Sequence, residues 1–443
     1  MKYQRYPAYK DSGVEWIGEI PNDWVLIKLK WAMTIMKGKV PKNIETDISE
    51  TNIYLPYLSM EFLRGETPKQ WVKFDNSTFV VDEGETLLLW DGSNAGEFIK
   101  SRRGILSSTV ALVHSNKVNH NFLFYFCKAA EHKLKELTVG MGIPHVDGDL
   151  LKSLSMPFPL NEEQVSIGNF LDCKTTIIDR LVLKEQQIIN LLKEKRQAII
   201  THAVTKGLDP NVPMKDSGVK WIGEIPEHWK VMKIKFTSYV KGRVGWKGLT
   251  SEEYLENGYA YLVTGQDFQS KTILWDSCYC VDKGRYYDDP YIQLKNGDLL
   301  ITKDGTIGKL AIVNGLNKPA CLNSGIFLVR PCNYYITDFL YYVLSSSVFS
   351  NFYFLRSFGS TIQHLYQNIF EEFSFPIPSI EEQDKIVAYL EKQTSKIDKI
   401  ISLEERMVQL LKEYKVSLIS QAVTGKIDVR GLTVPVESNS SEA

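Results

Sequence analysis

The segment KDSGVEWIGEIP begins at Lys10 and KDSGVKWIGEIP begins at Lys215; eleven of twelve residues match at an offset of 205. A second pair of segments repeats the pattern over a longer span. NEEQVSIGNFLDCKTT… runs from Asn161 to Gly207 and IEEQDKIVAYLEKQTS… from Ile380 to Lys426, at an offset of 219. Each follows a proline pair, PFPL at Pro157 or PIPS at Pro376, and each closes on Ala-Val-Thr with a glycine close behind. The intervening stretches diverge more but keep anchors. GETLLLWDGSNAG from Gly84 answers GDLLITKDGTIG from Gly297, SSTVALV from Ser107 answers NSGIFLV from Asn323, and GMGIPHV from Gly140 answers GSTIQHL from Gly359. A period this long exceeds any solenoid unit, so a complete module has been duplicated. A chain of 443 residues has room for two or three domains. The order of markers predicts a first module over 1–157, a long helix over 158–210, a second module over 211–376, a second long helix over 377–434 and a disordered tail over 435–443.

The helical segments carry apolar residues at alternating steps of three and four. In the first these are Ile167, Leu171, Ile178, Leu181, Ile188 and Leu192; in the second, Ile386, Leu390, Ile397, Ile400, Met407 and Leu411. A spacing of about 3.5 residues sustained over more than four heptads predicts a coiled-coil seam. Acids in the first turn, Glu162 and Glu163 or Glu381 and Glu382, favour a helix start. About 40 residues per helix predicts a rod of roughly 60 Å. Internal symmetry would make the two helices antiparallel and would set each copy of the repeated twelve-residue segment at a helix end, with Trp16 and Trp221 burying their rings there. Between the helices, short β-like runs such as ETLLLW, STVALV and DLLITK alternate with helix-like NHNFLFYFCKAAEHKLKEL and TDFLYYVLSSSVFSNFYFL. The expected fold class is α+β: two mixed modules joined by a pair of long antiparallel helices with pseudo-twofold symmetry.

Several classes are disfavoured. No apolar run reaches the length of a membrane span, and the N-terminus lacks the apolar core of a secretory signal. The six cysteines lack paired spacing, which suits reduced thiols in a cytoplasmic protein. No phosphate-binding or dinucleotide-binding glycine loop is present, nor a His-Glu-x-x-His pair. DDPY at Asp288 lacks the second proline of an amino-methyltransferase signature and reads as a loop; Glu131-His132-Lys133 reads as an ordinary charged helix turn. No catalytic set, metal site or cofactor site can be singled out.

The net charge is −1, yet positive charge is grouped. Acid-free windows run from Val25 to Ile44, Phe98 to Ala130, Trp229 to Ser251 and Gly305 to Thr337, at broadly corresponding places in the two halves. Such windows point to a polyanion-facing surface, where cations neutralise phosphates and polar side chains on neighbouring loops read base edges. The candidates in the first half are Lys37, Lys39, Lys42, Arg102, Arg103, Ser107, Ser108 and His145. In the second half they are Lys241, Arg243, Lys247, Lys303, Lys309, Asn323, Ser324, Ser360, Thr361, Gln363 and His364. Two rival readings stay open: an enzyme with unfamiliar motifs, and a protein scaffold in which the basic windows are incidental.

The set of SGVEWIGEIP and SGVKWIGEIP, GDLLITKDGTIGK, GSTIQHL, and the PFPLNEEQ and PIPSIEEQ helix starts resembles the specificity subunit of type I restriction-modification enzymes, up to about Val434. The resemblance implies two target recognition domains, each reading half of a split double-stranded DNA site, and a coiled coil that sets the gap. It implies a subunit without catalysis or cofactor of its own. Its partners would be two modification subunits holding S-adenosylmethionine and methylating adenine, and restriction subunits using ATP and Mg. GMGIPHV departs from the tighter GSTIQHL, so the first reading loop would differ from the family pattern.

Overall fold

The computed structural model describes residues 3–41, 43–46, 53–75, 78–136, 144–243, 249–356 and 364–432. The tail expected at 435–443 lies outside them, as do Lys42, Lys247, Ser360, Thr361 and Gln363. The chain forms two units, residues 1–186 with 406–443, and residues 187–405. Each long helix therefore gives one part of its length to each unit.

In each unit the repeated twelve-residue segment is a β-hairpin. Tyr9–Asp11 pairs with Glu19–Pro21 so that Lys10 faces Ile20, and Met214–Asp216 pairs with Glu224–Pro226 so that Lys215 faces Ile225. The hairpin turn needs left-handed backbone at Gly13 and Gly18, and again at Gly218 and Gly223, which explains why glycine recurs there. The next strand in each unit, Val25–Lys28 or Lys230–Lys233, pairs with the proline-bearing Ser155–Phe158 or Ser374–Ile377.

A four-stranded antiparallel sheet follows the same path twice. Its order in the first unit is Thr34–Lys37, Val110–His114, Thr86–Leu89, Phe98–Lys100; in the second it is Ser238–Gly242, Ile326–Pro331, Leu299–Thr302, Leu310–Ile312. Ala111 lies opposite both Lys37 and Leu88, and Leu328 lies opposite both Lys241 and Leu300. These central strands are buried throughout most of their length, as their runs of Val, Leu and Ile require. Beside them the units differ. The first adds a small antiparallel sheet of Ile44–Glu45, Trp71–Lys73 and Tyr54–Pro56. The second adds Tyr279–Val281, Ala260–Val263 and Ala320–Leu322, the last pair parallel.

The helix His120–Glu136 starts at Asn119, whose side chain accepts from the amides of Asn121 and Phe122. Its counterpart is broken into Thr337–Ser345 and Ser347–Arg356. Ser346 stops the first piece by donating to the Val343 carbonyl and caps the second by accepting from Val348. Thr337 does not cap; it donates to the Gly297 carbonyl.

The long helices span Asn161–Lys206 and Ile380–Val423. In the second unit Arg196 pairs with Asp398 and Lys193 with Glu405, so the two segments run antiparallel there; in the first unit Asp179 pairs with Lys415. The seam needs correction. Leu181, Ile188, Ile400 and Met407 are 40, 41, 42 and 46% exposed. Ile189, Ile401 and Val408 are buried instead, and Val182 is half-buried beside the core. From Ile167 the buried or half-buried stripe passes Thr175, Val182, Ile189 and Arg196 to Ala203, and from Ile386 it passes Thr394, Ile401, Val408 and Lys415 to Ala422. After a first step of eight residues each stripe recurs every seven, so the seven-residue repeat holds but is set one place later than the sequence pattern predicts. The one-place shift enters between Ile167 and Thr175 and between Ile386 and Thr394, where two steps of four follow one another through Leu171 and Leu390.

Each module clamps the first turn of a long helix through a buried glutamine. Gln164 accepts from the Asn119 amide and donates to the Pro159 carbonyl; Gln383 accepts from Ile336 and donates to Pro378. Glu163 accepts from the indole of Trp24, and Glu382 from that of Trp229. The repeated segment does meet the helix end in each unit. Tyr9 donates to the Gly425 carbonyl, Gly425 lies against Pro21 and Trp24, and Gly207 lies against Trp229 and Pro226. The buried anchors, however, are Trp24 and Trp229. Trp16 and Trp221 remain half-buried, packed on Phe126 and Phe352, with the Trp221 indole donating to the Ser374 carbonyl.

Candidate nucleic-acid interface

At the end of one central strand in each unit the chain makes an Asp-Gly turn, Trp90-Asp91-Gly92 or Lys303-Asp304-Gly305, with left-handed φ at both glycines. The segment beginning at Pro144 or His364 returns to that turn. The Val146 amide donates to the Trp90 carbonyl, and the Leu365 amide donates to the Lys303 carbonyl. His145 sits across an antiparallel bridge from Asp91, and His364 Nδ1 contacts Asp304 Oδ1. The fold thus brings together candidates far apart in sequence: Lys37, Asp91 and His145 in one unit, and Lys303, Asp304 and His364 in the other.

The electrostatics of the two turns differ. Lys37 Nζ lies 2.8 Å from Asp91 Oδ2 and 5.7 Å from the Trp90 ring centre. Lys241, its counterpart one strand position before a tightly packed glycine, lies over Tyr239 at 5.9 Å. Lys303 is mostly covered, with its ammonium 5.3 Å from the Phe327 ring centre. Lys39, Arg103, Lys309 and His145 are exposed, and Arg103 only approaches Asp82, at 4.0 Å. Asn323 Oδ1 accepts from both the amide and the hydroxyl of Ser324. The Ser108 amide donates to the Tyr57 hydroxyl at 3.4 Å.

Three candidates are committed to the fold. Arg243 is buried; its Nε donates to the Leu322 carbonyl at 2.9 Å and its Nη2 reaches Cys321 Sγ at 3.6 Å. Burial pushes the Cys321 thiol up to about 11 against the pull of that guanidinium, so it stays a neutral acceptor. Arg102 donates to the carbonyls of Phe62 and Glu66 and lies on the Phe62 ring. Ser107 is buried against Thr109. The acid-free windows also prove to be windows in sequence only. Lys100 meets Asp172, Lys128 meets Glu131, Lys233 and Lys235 meet Glu372, and Arg330 makes a two-pronged pair with the buried Asp298. A linear count misses acids that the fold returns from elsewhere.

Beside the second turn lies a cleft of about 500 Å³ that the sequence reading missed. Tyr254, Tyr279, Thr264, Gly265 and Gln266 form its margin opposite Asp304, Thr306, Lys309 and Asn323. Only the paired tyrosines of YLENGY and CYC hinted at it, since the cleft joins segments some 70 residues apart in sequence. Among the described residues no cluster of three or more His, Cys, Asp or Glu side chains is arranged to hold a metal ion, and no helix is long and apolar enough to cross a membrane.

A sheet-and-helix module built twice, each copy presenting a polar Asp-Gly turn and leaning on a long helix, defines a duplicated recognition protein. The chain belongs to the type I restriction modification DNA specificity domain family, whose profile matches residues 21–194 and again 226–411. It is 30% identical over 421 residues to the type I restriction enzyme MjaVIII specificity subunit of Methanocaldococcus jannaschii, covering 93% of this chain and 95% of that protein. It is 20% identical over 426 residues to the EcoBI specificity subunit of Escherichia coli, covering 94% and 89%. Its fold is similar to that of a solved chain from work on complex assembly and conformational transition of the type I R-M system. That likeness has a TM-score of 0.63 at 17% identity and covers 92% of this chain and 99% of the other.

Proposed function

We propose that the chain is the DNA-specificity subunit of a type I restriction-modification system, non-catalytic in itself. The observation that carries this reading is the repeated strand–turn module within a chain that matches the family twice. Residues 1–157 and 211–376 are the target recognition domains, each reading one half of a bipartite site. The helices of 158–210 and 377–434 set the gap. Lys37, Lys39, Lys42 and Arg103, with Lys241, Lys247 and Lys309, lie along phosphates, while the mostly covered Lys303 supports its turn from within. Ser108, His145, Asn323, Ser324, Ser360, Thr361, Gln363 and His364 face base edges. Arg102, Arg243 and Ser107 hold these loops from behind.

The long helices also carry apolar side chains that their own unit leaves exposed, among them Leu181, Leu183, Met407 and Leu410 in the first unit and Leu191 and Leu403 in the second. These supply docking surface for two modification subunits, which bring S-adenosylmethionine, with restriction subunits bringing ATP and Mg; the assembly works in the cytoplasm. Co-expression with the neighbouring modification gene, followed by genome-wide mapping of methyladenine, tests the reading. The expected result is one bipartite motif, with exchange of residues 211–376 altering one half only. Methylation or cleavage by the purified chain alone, or no bipartite motif, would reject it.

A further inference from the structure

The cleft of the second unit has a shape that a groove-reading surface does not need. Base edges in an intact duplex lie at the floor of a groove and are reached by protruding side chains. A hollow of about 500 Å³ cannot admit a duplex, but it holds one nucleobase with its sugar. Its aromatic wall is Tyr254 with Tyr279, rings edge to face at 5.4 Å, and Tyr279 is 47% exposed. Gly265 lies where a Cβ would meet Thr302 at 2.8 Å, so the two sides of the cleft close together beneath a rim without bulk. The side-chain amide nitrogens of Gln266 and Asn323 and the Lys309 ammonium belong to residues that line the cleft, and none of these three groups has a protein partner among the described residues, although the backbone amides of Gln266 and Asn323 are bonded to Thr264 and Val263.

We propose that this cleft receives a single nucleobase turned out of the DNA stack in the half-site read by the second unit. This rests on the DNA-recognition reading above. Tyrosine faces support a base by stacking whatever its identity, while the three unpartnered donors select acceptors on its edge. Asp304, engaged by His364, orders the turn on the opposite side. In the first unit the equivalent Asp91 is instead neutralised by Lys37, so the inference concerns the second half-site alone.

The test uses the complex with its modification subunits and duplexes of the mapped site, with a fluorescent base analogue at each position of the second half-site in turn. Fluorescence should rise at one position other than the base that becomes methylated, with or without S-adenosylmethionine. Tyr279→Ala, at an exposed ring, and Gln266→Ala should each remove most of that rise. A mismatch at the same position should tighten binding by about tenfold, because the unpairing cost is then already met. No such position, or a rise unchanged in both variants, overturns the proposal. Site-specific methylation and salt-dependent binding report on the DNA-recognition reading separately: if they hold while the fluorescence stays flat, only the cleft proposal falls.

Discussion

Glu382 accepts from His228 at 2.8 Å, from the Trp229 indole at 3.2 Å and from the Ser379 hydroxyl at 2.9 Å. Burial alone would raise its carboxyl; the donors outweigh that and hold it at about 2, against an ordinary 4.5. A depressed carboxylate contributes stability that is complete above its unfolded value and is lost as the pH falls through its folded one. Glu382→Gln should therefore flatten the loss of stability between pH 4.5 and about 2, read from urea midpoints across that window. Asp298 is a second such residue. Its buried carboxylate takes Nε and Nη2 of Arg330 at 2.6 and 2.7 Å and the Lys295 amide at 2.7 Å. Asp298→Ala leaves that guanidinium unmatched and should cost about 3 kcal/mol, measured by denaturant unfolding. Arg330 stood in an acid-free window of sequence; its partner lies 32 positions earlier.

At the scale of the element, the long helices show how a pattern can be right in kind and wrong in phase. Leu181, Ile188, Ile400 and Met407 continue a heptad faultlessly, yet each lies one place before the position that the fold covers. The shift appears where Thr175 and Thr394, rather than the residues before them, turn inward to meet Tyr125 and Tyr342. A hydroxyl in the stripe is invisible to a search for apolar residues. Ile189→Ala should destabilise by about 2–4 kcal/mol, while Ile188→Ala should stay within about 0.5 kcal/mol, compared by denaturant midpoint.

For the whole molecule, the proposed role makes helix length a determinant of the DNA site. Deleting one heptad from both long helices removes about 10 Å, the rise of about three base pairs at 3.4 Å each. Mapping methylated sites for the shortened protein should reveal a correspondingly shorter gap between unchanged half-sites. A gap of the original length with full activity would reject helix length as the ruler.

Duplication, the helix starts at EEQ and the strand that ends in an Asp-Gly turn were legible from residues, because each depends on neighbours in the chain: repeated segments, first-turn acids, alternating or helical periodicity; the hairpin at each KDSGV segment was not read there, although its left-handed glycines lie in the repeat. Nor was the free charge of any one lysine legible. Lys37 is neutralised by Asp91 and Lys100 by Asp172, while Lys309 is left exposed, and only folding decides which acid arrives. The tyrosine-walled cleft likewise exists only where three separated segments converge. Local backbone preference is written in short stretches of sequence, whereas electrostatic pairing and concavity are properties of distances through space.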